Sequence, residues 1–77
     1  MKTLFEIGEA FGQGQHFTVI SPDGNSYDLW GIKHLFDSSA VFVVSENTLI
    51  QVDSCKVLDM NDNVVWHGNN VKKVNKS

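Results

Sequence analysis

Three histidines, His16, His34 and His67, are the plausible general bases or imidazole ligands of this 77-residue sequence, and Cys55 is its single cysteine. No two histidines stand at a spacing typical of metal ligands, and none is beside the thiol in sequence. A histidine could still meet Cys55 or a serine in space to form a catalytic pair. A lone cysteine in a strand is more often a small buried hydrophobic residue, and so small a domain has little room for a substrate pocket. We therefore expect a protein that is not an enzyme and that holds neither a cofactor nor a metal.

Two short segments resemble ligand-binding loops. Residues 59–63 place oxygen ligands at alternate positions, as a calcium loop does, but its sixth position is Val64 instead of glycine and its twelfth is Asn70 instead of glutamate. Residues 12–14 resemble a phosphate-binding loop, but the third glycine is replaced by Phe17 and the segment follows a helix instead of a strand. A hairpin turn and a flexible connector account for the two segments.

The charges are distributed unevenly along the chain. Residues 1–62 contain nine carboxylates and three lysines, a net charge of −6, whereas residues 63–77 contain three lysines and no acid. The sequence has no arginine, the residue that supplies the bidentate and stacking contacts of nucleic-acid sites. An acidic body repels nucleic acid and attracts a basic surface of another protein. Nucleic acid is therefore not the expected partner.

Length and composition indicate one small globular domain. The apolar fraction is 42%, with five Phe, two Trp and one Tyr, which is enough for one compact core. A membrane-spanning helix needs an apolar run of about 18 residues, and no run in this sequence is nearly as long. We therefore expect no contact with a membrane. The N-terminus begins like a signal peptide, but Glu6 and Glu9 fall where its apolar region should be. These features predict a cytoplasmic protein.

The chain is expected to be organised around residues 39–45, a short apolar run of β-branched and aromatic residues bounded by serines. The run is too short for an independent helix and is typical of a strand that is covered on both faces. Either Val41 and Val43 or Phe42 and Val44 should then form the centre of the core.

A short amphipathic helix is predicted over about residues 3–11, because apolar or small residues recur at i, i+3, i+4 and i+7 from Leu4. Thr3 is placed to cap this helix in a capping box with Glu6. Gly12 could end it by adopting a positive φ.

The rest of the chain reads as short antiparallel strands joined by tight turns. The predicted strands are residues 16–21, 26–30, 40–45, 48–52, 55–60 and 63–67. Gly31 indicates a bulge or a sharp bend, after which residues 32–36 either continue the bent strand or form one helical turn; we favour the strand.

This pattern predicts a mainly β fold, α+β only through its one short N-terminal helix. Five or six closely spaced antiparallel strands favour a small half-open barrel, SH3-like or OB-like, with the helix across one end. Residues 1–70 would form this single domain, and residues 71–77 would be a flexible basic C-terminal tail.

The candidate binding residues are the aromatic and polar side chains of two predicted strands: Tyr27, Asp28, Trp30, Trp66 and His67. One face of each strand turns outwards in a barrel, so at least one of these aromatic rings could be exposed. Tryptophan and tyrosine are enriched at the centres of protein interfaces. The alternative interpretation places both tryptophans in the core or under the helix.

Together these observations predict a small non-catalytic module that binds a basic or apolar patch of another protein through a sheet face or an open edge. An open edge would also allow a homodimer. A small acidic domain without a catalytic motif is similar in type to the accessory proteins of phages and mobile elements that bind and regulate a host protein. The alternative function is single-stranded nucleic-acid binding, with barrel aromatics stacking on bases and Lys72, Lys73 and Lys76 contacting phosphates.

Overall fold

The computed structural model describes residues 1–37 and 39–70, in which the chain forms one short helix and seven strands. The elements are α1 (Leu4–Gly12), β1 (Thr18–Ile20), β2 (Ser26–Asp28), β3 (Gly31–His34), β4 (Ala40–Val43), β5 (Leu49–Gln51), β6 (Lys56–Leu58) and β7 (Val64–His67), with a 3₁₀ turn at Val52–Ser54. The strands form two antiparallel sheets, in the orders β2-β1-β6-β7 and β3-β4-β5, which do not close into a barrel. The prediction of a mainly β fold with one short helix is confirmed.

Helix α1 begins as predicted, with a complete capping box. The Thr3 hydroxyl accepts a hydrogen bond from the Glu6 backbone N–H at 3.1 Å, and the Glu6 carboxylate accepts one from the Thr3 N–H at 2.8 Å. These two bonds satisfy backbone donors that the first turn of a helix otherwise leaves without partners.

Helix α1 ends at Gly12, but the positive φ predicted for Gly12 is found two residues later. Gly12 is still helical, and it is Gly14 that adopts the positive φ of +97°. The Gly14 N–H then bonds the Phe11 carbonyl, and the Gln15 N–H bonds the Ala10 carbonyl, both at 3.0 Å. This pair of bonds is the Schellman motif, which satisfies the last free carbonyls of the helix.

The chain passes from one sheet to the other between two consecutive residues. The Leu29 N–H donates to the Phe17 carbonyl in the four-stranded sheet, at 3.0 Å, whereas the Trp30 N–H donates to the Val43 carbonyl in the three-stranded sheet, at 2.7 Å. Val43 is also the partner of Gly31 in the strand register. The bend predicted at Gly31 is confirmed, and it divides one predicted strand into β2 and β3, which is why the described chain has seven strands instead of five or six.

The region after the bend is a strand, as we favoured, but only as far as His34; a turn at residues 36–37 follows Leu35. The other strands are also a little shorter than predicted. The first, for example, covers Thr18–Ile20 instead of residues 16–21. Strand ends are the least certain part of a sequence prediction because pairing, and not local preference, ends a strand.

Strand β4 lies in the middle of the three-stranded sheet, and Phe42 and Val44 form the centre of the core. Phe42 is fully buried between its cross-strand partners Ile32 and Ile50. Val41 is buried as well, but at a position of opposite parity along the strand and outside the core cluster. The predicted central strand is therefore confirmed, and the structure selects the Phe42 and Val44 pair.

One hydrophobic core joins both sheets and the helix. Its buried members are Ile7, Ala10, Phe17, Val19, Leu29, Ala40, Phe42, Val44, Val52, Cys55, Val57 and Val65. No helix within the described ranges is long and apolar enough to cross a membrane.

Candidate functional site

The structure does not bring the predicted binding residues together on one surface. Tyr27 and Asp28 lie on β2, and Trp66 and His67 lie on β7, at opposite edges of the four-stranded sheet. Strands β1 and β6 separate these edges by about 14 Å, three strand spacings. Trp30 precedes β3 and belongs to the other sheet.

Trp66 is half-buried and packs against the core. Its indole N–H donates to the Val52 carbonyl at 2.8 Å, and its ring meets Phe42 edge to face, with 6.5 Å between ring centroids and an angle of 86°. A buried tryptophan needs such a partner for its N–H. Tyr27 is half-buried and packs against the same core. Of the two tryptophans, Trp66 is thus the one that packs against the core.

Trp30, in contrast, is exposed over 54% of its surface. It is one of four large apolar side chains exposed on α1 or beside β3; the others are Phe5, Leu35 and Phe36, of which Phe5 is 75% exposed and Phe36 fully exposed. Neither Phe5 nor Phe36 is among the predicted binding residues. One signal was present, since Phe5 lies off the i, i+3, i+4, i+7 stripe and is an aromatic residue on the polar side of an amphipathic helix.

An open groove of about 480 Å³ runs between α1 and β3. Its helix wall is formed by Leu4, Phe5, Gly8, Glu9 and Phe11, and its strand wall by Gly31, Ile32 and His34. Most of these side chains are apolar. We call this feature the α1–β3 groove.

Local sequence explains how the two walls are placed. Phe5 and Glu9 are four residues apart, so they are neighbours along one side of the helix and both border the groove. Gly8 faces the strand, and a Cβ atom built there would lie 3.7 Å from Ile32 Cδ1, an ordinary van der Waals distance. The helix thus comes within van der Waals reach of β3 at Gly8, and a methyl group at this position would still fit.

The charge around the groove is negative. Glu9 is the one carboxylate that lines it, and no lysine does. The described residues together contain nine carboxylates and three lysines, a net charge of −6. Hydrogen bonds keep some of these carboxylates ionised at lower pH. The backbone N–H of Thr3 lowers the pKa of Glu6, and the hydroxyl of Ser39 lowers the pKa of Asp37.

A second, more polar cleft of about 390 Å³ lies on the other side of His34 and brings that histidine near Asp37 and Ser39. These are the residue types of a serine nucleophile site, in which the serine hydroxyl must be bonded to the histidine. Here the Ser39 hydroxyl donates to the Asp37 carboxylate at 2.5 Å instead. The hydroxyl proton is thus directed to the aspartate and away from an imidazole base.

Cys55 lies in the core, only 1% exposed. Burial, and secondarily the negative charge of Asp53, raises the pKa of its thiol to about 12. A nucleophilic cysteine needs an accessible thiolate, which favourable charges produce by lowering the pKa. The surroundings of Cys55 act in the opposite direction and are those of a structural residue.

The three histidines occupy separate places: His16 precedes β1, His34 ends β3, and His67 ends β7 with its Nδ1 atom 3.0 Å from the Gly68 carbonyl oxygen. Residues 1–37 and 39–70 contain no group of three histidine, cysteine or acidic side chains that could hold a metal ion. The segment compared with a calcium loop forms the β6–β7 turn, in which the Asp59 carboxylate accepts hydrogen bonds from the backbone N–H groups of Asn61 and Asn63.

The lysines of the nucleic-acid alternative, Lys72, Lys73 and Lys76, lie outside the described residues, as does the whole predicted tail of residues 71–77. The exposed apolar groove between α1 and β3 is thus the feature of the described chain best suited to binding. Comparisons of the chain with protein-family models, with curated proteins and with solved structures find no match, so the case for a function rests on this groove.

Proposed function

We propose that this protein is a small non-catalytic interaction module that binds another protein, and that the α1–β3 groove is its binding site. The observation that carries the proposal is Phe5, a phenylalanine three-quarters exposed at the border of an open apolar groove. A contiguous exposed apolar surface on a small protein is characteristic of an interaction site.

The energetics support this use of the surface. Full burial of a phenylalanine side chain contributes about 1.5–3 kcal/mol, which Phe5 and Phe36 forgo in the free protein. A partner that covers them would recover this free energy as affinity. Trp30 and Phe36 stand just before and just after β3, so both ends of the strand wall carry an exposed aromatic ring.

The partner should carry a basic rim around an apolar contact. The described residues have a net charge of −6, and Glu9 lies within the groove itself. Opposite charge at the edge of an interface increases the association rate and selects against acidic partners. The same charge disfavours nucleic acid as a ligand of this face.

The proposal extends to the fold and the biological role. The two sheets share one core and are joined by the bend at Trp30 and Gly31, an arrangement that we regard as a half-open barrel of the SH3-like or OB-like kind. Regulation of a host protein, in the manner of accessory proteins of phages and mobile elements, stays a prediction.

The test is affinity capture with three forms of the full chain: the wild type, Phe5→Ser and the control Met60→Ser. Met60 is also exposed, by 67%, but lies in the β6–β7 turn away from the groove. A partner captured by the wild type should be retained by Met60→Ser and should bind Phe5→Ser at least about tenfold more weakly, as truncation of an interface aromatic requires. Unfolding curves should show that both variants are folded.

Retention of every specific partner by Phe5→Ser at unchanged affinity would contradict the proposal. Loss of the partner with Met60→Ser, and not with Phe5→Ser, would move the site to the β6–β7 turn.

A further inference from the structure

Strand β3 is an outer strand of its sheet, and half of its backbone polar groups point away from β4. The Leu35 N–H donates to the Ser39 carbonyl at 2.9 Å, so the N–H of Leu35 points towards β4. Lys33, two residues earlier and paired with Val41, points its N–H to the same side. Because the N–H groups of successive residues within an antiparallel strand point to opposite sides, those of Ile32 and His34 point to the free edge. Both residues line the α1–β3 groove.

The free edge offers a regular set of hydrogen-bonding groups. Ile32 and His34 each present one N–H and one C=O, repeated about 7 Å apart along the strand. Within the described part of the chain, neither amide bonds a loop or helix carbonyl. An extended peptide that adds a strand at such an edge satisfies all of these groups at once.

The opposite wall supplies contacts for side chains. In an added strand, alternate side chains point to the same face, so every second residue of the peptide would face α1. There it would meet the exposed ring of Phe5 and the part of the groove that Gly8 lines. The carboxylate of Glu9 lies on the same wall.

We infer that the occupant of the α1–β3 groove is an extended segment of a partner protein, which adds as a fourth strand to β3 and carries apolar residues at alternate positions with a lysine or arginine opposite Glu9. This inference rests on the proposed function of the groove as the protein-binding site. Charge complementarity selects this occupant over a second copy of the chain. Two copies paired through β3 would bring together two bodies whose described parts each carry a charge of −6.

The test begins with a randomised heptapeptide library selected against the full chain, with Phe5→Ser used for counter-selection. The selected peptides should alternate apolar residues and contain a lysine or arginine. Their affinity should fall at least about tenfold with Phe5→Ser and by about fivefold with Glu9→Gln, and should be unchanged with Met60→Ser.

Amide hydrogen exchange followed by NMR separates strand addition from other modes of binding. In the free protein the amides of Lys33 and Leu35 should exchange slowly, and those of Ile32 and His34 quickly. A bound peptide should slow exchange at Ile32 and His34 by at least about tenfold. Methylation of those peptide amide nitrogens that face β3 should abolish binding, and methylation of the intervening ones should not.

Three other outcomes would contradict strand addition, the binding groove or the external occupant. Peptides that require Phe5 but leave exchange at Ile32 and His34 unchanged would overturn strand addition and leave the groove as the binding site. A library that yields no Phe5-dependent peptide would overturn both proposals. Slow exchange of the Ile32 and His34 amides without peptide would contradict an occupant from another protein. If this protection increases with protein concentration, the occupant is a second copy of the chain. If it disappears when the chain is cut after Asn70, the occupant is residues 71–77.

Discussion

Two groups of aromatic residues in this small protein differ in their exposure to solvent. The inner pair, Phe42 and Trp66, meets edge to face: Phe42 is fully buried, and Trp66 is half-buried with its N–H bonded to the Val52 carbonyl. The outer aromatics, Phe5, Trp30 and Phe36, are each more than half exposed.

The difference separates residues that stabilise the fold from residues that are proposed to bind a partner. A chain of 77 residues buries a small core, so every aromatic residue left outside it is a substantial loss of folding free energy. The inner pair stabilises the fold through burial and a satisfied polar group. The outer aromatics contribute little to the isolated fold, and in the proposed function their surface contacts a partner.

The largest expected contrast is between two phenylalanines. Phe42→Ala should lower the free energy of unfolding by about 3–5 kcal/mol, because it empties the centre of the core. Phe36→Ala removes a fully exposed ring and should change the free energy of unfolding by no more than about 0.5 kcal/mol. Urea unfolding of the two variants measures both values. Similar losses in the two variants would show that the inner and outer groups are not distinct.

A second contrast uses two glycines. Gly68 lies against the 3₁₀ turn that holds Val52, and a Cβ atom there would overlap the backbone of Asp53 and lie 2.8 Å from the Val52 oxygen. Gly68→Ala should therefore cost at least about 1–3 kcal/mol, as overpacking does. A Cβ atom at the helical Gly12 meets nothing within 4 Å. Gly12→Ala should stabilise the helix by up to about 1 kcal/mol.

Thermal or urea unfolding of both glycine variants provides the test. An unchanged free energy of unfolding in Gly68→Ala would mean that the segment after β7 is not packed against the 3₁₀ turn. The backbone around Trp66 would then be less closely packed than the short distance between Gly68 and Asp53 indicates.

A third effect appears only at alkaline pH and concerns Cys55, which is buried in the core. Burial raises the pKa of this thiol from 9.0 to about 12 in the folded chain. Between these values the unfolded chain releases the proton first, so the stability should fall as pH rises above 9, by about 1.4 kcal/mol for each pH unit. Below pH 9 both states keep the proton, and the contribution is fully present.

Unfolding measured from pH 7 to 10.5 tests this sign, with Cys55→Ala as the control, since its curve should lack this contribution and be flatter. A thiol reagent extends the comparison to the outer group. At pH 8 it should react slowly with native Cys55 and quickly with a thiol introduced by Phe36→Cys in the Cys55→Ala background. Rapid modification of native Cys55 would contradict its place in the core.

The sequence alone determined the features that depend on neighbouring residues. The capping box of Thr3 and Glu6 is encoded by two side chains three positions apart, and the β6–β7 turn by residues that tolerate a left-handed backbone, such as Asp62 with φ of +65°. The central strand around Phe42 was predicted from an apolar run that no other element could accommodate. In each case the physical cause lies within a few residues of the chain.

Only the tertiary structure decided which aromatic rings are inside. Trp30 and Trp66 both follow or belong to a short strand, and their local sequences do not distinguish them. Their burial depends on which sheet each strand joins, and the chain changes sheets between Leu29 and Trp30, so Trp30 is turned to the surface while Trp66 reaches Phe42. The α1–β3 groove has the same origin, because its two walls meet through strand pairing and helix packing across the fold, and no short-range pattern specifies such contacts.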